Sequence, residues 1–146
     1  MTPLTGRTGF PSYAGHVAHP WKILIIDDDP TVDKLVTKKL PSETYQVRSL
    51  FDPLQALDEV KSTRPDLVIL DLMMPRASGI EVCKGIKEDP ATKEVKVLIL
   101  SAKEGQDDRI RGLQIGADDY ISKPFHLAAL ARKIEYMLTK KESYTP

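Results

Sequence analysis

Six polar side chains stand where short apolar runs end. Asp27, Asp28 and Asp29 follow the run 23–26, Asp71 follows 67–70, Ser101 follows 97–100, and Lys123 follows 120–122. Three carboxylates brought together repel, and each raises the pKa of the others unless a cation joins them. One lysine does not balance them. A divalent cation does, and an all-oxygen donor set suits Mg2+, with Mn2+ as the alternative ion. A bound dication also neutralises phosphate oxygens. A carboxylate nucleophile, a cation, a hydroxyl and a lysine are enough for phosphoryl transfer, where catalysis is mainly positioning and charge neutralisation.

Taken singly, each residue has a structural reading. Asp29 precedes Pro30 and suits a helix N-cap. Ser101 suits a cap as well, and a lone lysine is usually solvated. The reading for chemistry rests on the set, because several strand ends carry complementary groups.

Those positions depend on the elements between them. The runs 23–26, 67–70 and 97–100 are short and rich in Ile, Val and Leu, as expected of parallel strands buried on both faces. The segments 45–50 and 120–122 are weaker strands nearer an edge. Helical spacing follows each strand. Val32, Leu35, Val36 and Leu40 mark the first helix, and Leu54, Leu57 and Val60 the second, after Asp52-Pro53. Ile80, Cys83 and Ile86 mark the third, and Ile110, Leu113 and Ala117 the fourth. Leu127, Leu130, Ile134, Met137 and Leu138 mark the fifth, with Lys140 and Lys141 placed for its dipole. Five strand–helix units with right-handed crossovers predict an α/β doubly wound, five-stranded parallel sheet with helices on both faces. Ligands of such sheets sit beyond the carboxyl ends of the strands, where the polar residues gather.

Size and charge narrow the class. The chain has 146 residues, 41% hydrophobic and 29% charged, with 21 basic and 21 acidic side chains. Zero net charge gives no global attraction to nucleic acid or to anionic lipid, so neither is expected as a direct partner. No apolar run is long enough to span a membrane, and the N-terminus lacks a secretory signal pattern, so a cytoplasmic location is expected. Pro3, Gly6, Gly9, Pro11, Gly15 and Pro20 punctuate residues 1–20, which read as a flexible arm. The domain is expected over 21–141 and a tail over 142–146, with no second domain. Cys83 on an apolar helical face is expected in the core, and His16 and His19 in solvent. His126 opens the fifth helix, and Met73 and Met74 serve packing.

The segments 22–30 (KILIIDDDP), 65–75 (PDLVILDLMMP), 97–102 (VLILSA) and 116–125 (GADDYISKPF) closely resemble receiver domains of bacterial two-component response regulators. The resemblance covers about residues 22–141. It implies a CheY-like, flavodoxin-like (βα)5 fold of strand order 2-1-3-4-5. It implies that Asp71 is the phosphoacceptor, taking a phosphoryl group from a sensor histidine kinase or phosphotransfer protein. By the same resemblance Asp28, Asp71 and the Met73 backbone carbonyl ligate Mg2+, and Asp27 acts through a metal-bound water. Ser101 and Ala102 contact the phosphoryl group, Lys123 pairs with the acceptor, and Tyr120 turns inward on activation. The bond at Lys123-Pro124 is expected to be cis. The output partner is expected on the face of the fourth helix, fifth strand and fifth helix, with homodimerisation on phosphorylation as an option. The chain would be a switch that assists its own phosphorylation and dephosphorylation rather than an enzyme acting on other substrates. Two departures stand out: Ser101 replaces the commoner threonine, and Ala77-Ser78 stands where many members carry Asp or Asn second. The positions of Met73 and Lys103 tune phosphoryl lifetime in the family.

Three other functions compete. A haloacid-dehalogenase-like phosphatase needs a second Asp two residues after the nucleophile, where this chain has Met73. A flavodoxin-like cofactor binder needs Ser, Thr and Gly donors after the first strand, where this chain has three acids. A receiver-like interaction module that works without phosphorylation usually lacks the acceptor, an acidic residue or the lysine, all of which are present.

Overall fold

Every apolar run becomes a strand because its side chains are buried on both faces of one sheet. The computed structural model describes residues 20–74, 77–102 and 106–139. In chain order the elements are β1 (Trp21–Ile26), α1 (Pro30–Lys39), β2 (Tyr45–Leu50), a 3-10 turn (Pro53–Gln55), α2 (Ala56–Thr63), β3 (Leu67–Asp71), β4 (Met73–Met74), β5 (Ala77–Ser78), α3 (Gly79–Glu88), β6 (Lys96–Ala102), α4 (Gln106–Gln114), β7 (Asp119–Lys123) and α5 (Leu127–Thr139). Five strands pair in parallel in the order β2-β1-β3-β6-β7, which is 2-1-3-4-5 among the parallel strands. The two-residue strands β4 and β5 form a separate antiparallel ladder that the sequence reading did not anticipate.

Alternate side chains feed two cores. Leu24, Ile26, Val68, Leu70, Val97 and Ile99 face α2 and α3 through Ala56, Val60, Cys83 and Ile86. Ile23, Ile25, Leu67, Ile69, Leu98 and Leu100 face α1 and α5 through Val36, Leu130 and Ile134. Cys83 lies in the first core, as expected, and burial pushes its thiol up to about 11.

Three helices depart from their apolar spacing. The 3-10 turn before α2 rotates its face, so Ala56 and Val60 are buried whereas Leu54 is 62% exposed and Leu57 is also exposed. On α1, Val32 and Val36 are buried, as is Leu40 at its C-cap, but Leu35 is exposed. Helix α4 stops at Gln114, leaving Ile110 and Leu113 exposed and Ala117 buried beyond its end. Met74 is buried as expected, but Met73 is 60% exposed and packs little. The arm to residue 19, with His16 and His19, Lys103, and everything after Thr139 lie outside the described residues.

One corner is held by charge. Lys87 Nζ at the end of α3 pairs with Asp118 Oδ2 at 2.9 Å and donates to the carbonyls of Val95 (2.8 Å) and Lys93 (3.2 Å). Asp118 Oδ2 also accepts the Val97 N–H at 2.8 Å. Gly116, at φ +114°, passes over the Lys87 stem, where a Cβ would sit 3.0 Å from its Cγ. Lys87→Met keeps that stem and removes the donors. It is expected to lower stability by about 1–3 kcal/mol and the melting temperature by about 5 °C or more. An unchanged thermal transition would show that the corner carries no stability.

Candidate functional site

Strand β1 ends at Ile26 and delivers Asp27 to the edge of the sheet, where β3 delivers Asp71. Both are almost fully buried, at 1% and 5% exposure, whereas Asp28 is exposed. Carboxylate oxygens of Asp27, Asp28 and Asp71 lie within 4.8 Å of one another. Asp29 turns away to cap α1, its Oδ1 accepting the Thr31 N–H at 2.9 Å. The structural reading therefore holds for Asp29, and it leaves the trio.

Each buried carboxylate is fixed by a backbone N–H two residues on: Asp29 N–H donates to Asp27 Oδ1 and Met73 N–H donates to Asp71 Oδ1, both at 2.9 Å. Their other oxygens share a cation. Lys123 Nζ lies 3.2 Å from Asp71 Oδ2 and 3.4 Å from Asp27 Oδ2. The lysine thus bridges two carboxylates, Asp71 and Asp27. Lys123 ends β7, and the Lys123-Pro124 bond that follows is cis, as expected.

Burial, together with the nearby Asp71 charge, lifts the Asp27 carboxyl to about 6. The Asp29 N–H and Lys123 offset this only in part. Burial works against the Lys123 charge, but Asp71 and Asp27 outweigh it and hold the ammonium above its ordinary range.

Ser101 stands at the end of β6, and its neighbour Leu100 pairs with Asp71 in register. Its Oγ is buried and makes no hydrogen bond, which singles it out among the described residues. Such a hydroxyl carries a desolvation cost that an incoming acceptor oxygen would relieve. Ala102, next in β6, pairs in register with Lys123. Tyr120 is half-buried and packs against the α2–α3 core, opposite Ile99 in register.

Three carboxylates and one ammonium leave two negative charges uncompensated. With donors that are all oxygen and an orphaned hydroxyl at the same sheet edge, the residues fit a hard dication and a phosphoryl group. Among the described residues, no helix is long and apolar enough to cross a membrane.

The site and the sheet define a doubly wound α/β domain with a carboxylate cluster at its strand ends, and the relatives agree. The sequence model of the response regulator receiver domain matches residues 23–135. Response regulator MprA from Mycobacterium sp. (strain KMS) is 37% identical over 121 residues, covering 83% of this chain and 52% of MprA. The chain spans about half the length of the curated relatives it matches. The receiver domain of a signal transduction histidine kinase from Syntrophus aciditrophicus superposes with a TM-score of 0.73 at 32% identity, over 86% of this chain and 98% of its own. The BeF3-activated DrrB receiver domain gives 0.72 at 31% identity, over 83% and 99%. This chain therefore belongs to the response regulator receiver domain family of two-component signal transduction.

Proposed function

We propose that Asp71 accepts a phosphoryl group from the phosphohistidine of a sensor kinase or phosphotransfer protein, and that the domain signals by changing shape. The observation that carries this reading is the bridge from Lys123 to the buried Asp71 and Asp27 carboxylates. It presents a nucleophilic oxygen beside a cation. Asp28, Asp71 and the Met73 carbonyl would hold Mg2+, with Asp27 acting through water. The bound dication supplies charge neutralisation at the phosphoryl oxygens.

The Asp71 carboxylate attacks phosphorus, the P–N bond breaks, and its electron pair stays on the imidazole. The Asp71 oxygen that becomes esterified loses negative charge, so its donor, Met73 N–H or Lys123, is released toward the new phosphoryl oxygens. Hydrolysis of the acyl phosphate at the same site would reset the switch, so the domain assists both steps. Ser101 and the Ala102 backbone would receive the phosphoryl group. Tyr120 would then turn inward and alter the α4–β7–α5 face for an output partner, or for a second copy. This reading places the domain at 21–141 and its work in the cytoplasm.

The test is labelling with acetyl phosphate, read by intact mass. One phosphoryl group is expected with Mg2+, none with excess chelator, and full recovery on adding Mg2+ back. A rate unchanged by chelator removes the metal from the mechanism.

The Asp27 shift adds a pH dependence. Its folded pKa, about 6, lies above the ordinary 3.8, so the metal-free fold binds an extra proton between those values. Apo stability therefore gains from Asp27 as pH falls through about 6, while a cation must displace that proton. Mg2+ affinity is expected to fall about tenfold per pH unit below about 6. Calorimetric titration from pH 7.5 to 5 checks this, and a flat affinity would contradict it.

A further inference from the structure

The loop that carries the acceptor closes on itself. The chain leaves β3 at Asp71, forms the β4–β5 ladder with Met73 opposite Ser78 and Met74 opposite Ala77, and returns to Gly79. There the Gly79 N–H donates to the Leu72 carbonyl at 3.4 Å, and Ser78 Oγ accepts the Ile80 N–H at 3.2 Å to cap α3. Helix α3 thus begins directly against the backbone of the acceptor.

The contact leaves no room for a side chain. A Cβ on Gly79 would sit 2.6 Å from the Asp71 carbonyl oxygen, 2.6 Å from Leu72 Cα and 2.9 Å from Leu72 Cδ2. The first two are backbone atoms and cannot swing aside. Gly79 does not have a positive φ, so space rather than backbone conformation demands glycine here. Gly85, in the same helix, differs. There a Cβ would meet only the flexible tip of Leu57, at 2.8–2.9 Å.

We infer that Gly79 is a positioning residue for phosphoryl transfer, acting through the acceptor loop. This rests on the reading of Asp71 as acceptor. Any side chain at 79 pushes the Asp71–Leu72 backbone and the Met73 peptide away from α3. The Met73 N–H donates to Asp71 Oδ1, and the Met73 carbonyl, in the next peptide, would face the cation. A displacement of about 1 Å at a reacting centre can lower a rate by about a hundredfold. Gly79 touches neither metal nor phosphoryl group, so its effect must be seen in both at once.

The experiment measures acetyl phosphate labelling of the full chain across Mg2+ concentrations, with Mg2+ affinity by calorimetry. It compares wild type, Gly79→Ala, Gly85→Ala and Val60→Ala, the last a core destabilisation in α2 that leaves the Asp71–Gly79 backbone contact in place. Gly79→Ala is expected to lower the maximal rate by at least tenfold and to weaken Mg2+ binding. Gly85→Ala and Val60→Ala should keep both values, whatever their melting temperatures. If Gly79→Ala does not fold, Ser78→Ala loosens the same closure without adding atoms and must show a smaller defect of the same kind. Labelling and Mg2+ affinity of Gly79→Ala within twofold of wild type overturn the inference. So does an equal loss in Val60→Ala, or an unaffected Ser78→Ala where Gly79→Ala is unfolded. A wild type that takes no label fails the acceptor reading and takes this inference with it. A wild type that labels while Gly79→Ala labels equally fails this inference alone.

Discussion

Asp71→Asn is expected to lower Mg2+-dependent labelling on the order of a thousandfold or more, the scale at which a lost nucleophile is felt. The amide keeps the volume of the carboxylate, and its oxygen can still accept the Met73 N–H that now holds Oδ1 at 2.9 Å. Lys123 retains Asp27 as a partner. The fold is therefore expected to survive, and the loss to be chemical. An independent consequence follows at Asp27. The Asp71 charge contributes to lifting its carboxyl, so in the variant the Asp27 carboxyl should titrate below about 6. Asp28→Ala should also fail to label, through the cation rather than the nucleophile, and excess Mg2+ should partly restore it. Labelling of Asp71→Asn at the wild-type rate would assign the chemistry to another residue.

Ser101→Ala is expected to separate labelling from signalling. The Ser101 Oγ is buried and unpaired, so its removal deletes no hydrogen bond from the resting fold. Relief of that desolvation should raise stability, by up to about 1 kcal/mol. The variant should still take a phosphoryl group, because Asp71, Asp28 and Lys123 are untouched. What it loses is the acceptor-seeking hydroxyl that would draw the end of β6 inward and open space for Tyr120. A few kcal/mol of differential interaction is enough to invert a two-state population. Amide shifts at 106–114 and Tyr120, with and without beryllofluoride, should be several-fold smaller in Ser101→Ala than in wild type. Equal shifts would show that Ser101 is not the switch. A lower melting temperature would show that the hydroxyl has a partner in the resting fold.

Much of this was legible in the sequence because its physics is local. Buried parallel strands announce themselves as Ile, Val and Leu runs. Asp29-Pro30 announces a helix start, and the structure bears out that cap. The four segments around Asp27, Asp71, Ser101 and Lys123 carried the family and the sheet order, which the fold and the relatives bear out. What the sequence did not show is set by three-dimensional fit. Leu54 and Leu57 have helical spacing with Val60, yet a 3-10 turn swings them outward. Met73 looked like packing, but its backbone N–H is what holds Asp71, an interaction no side-chain pattern encodes. The demand for glycine at 79 comes from an approach across the loop, visible only once α3 is placed against β3. Lys123 and Asp27, 96 positions apart, were expected at the same strand ends, but their direct pairing shows only in the closed sheet.

The most direct measurement locates the label in the unmodified chain. The protein is treated with acetyl phosphate and Mg2+, reduced with borohydride to trap the acyl phosphate, digested and mapped by mass spectrometry. The reduced residue is expected at Asp71 and nowhere else, and none when Mg2+ is chelated. Trapping at Asp27, Asp28 or another acid, or at Asp71 to the same extent without a divalent cation, would contradict it.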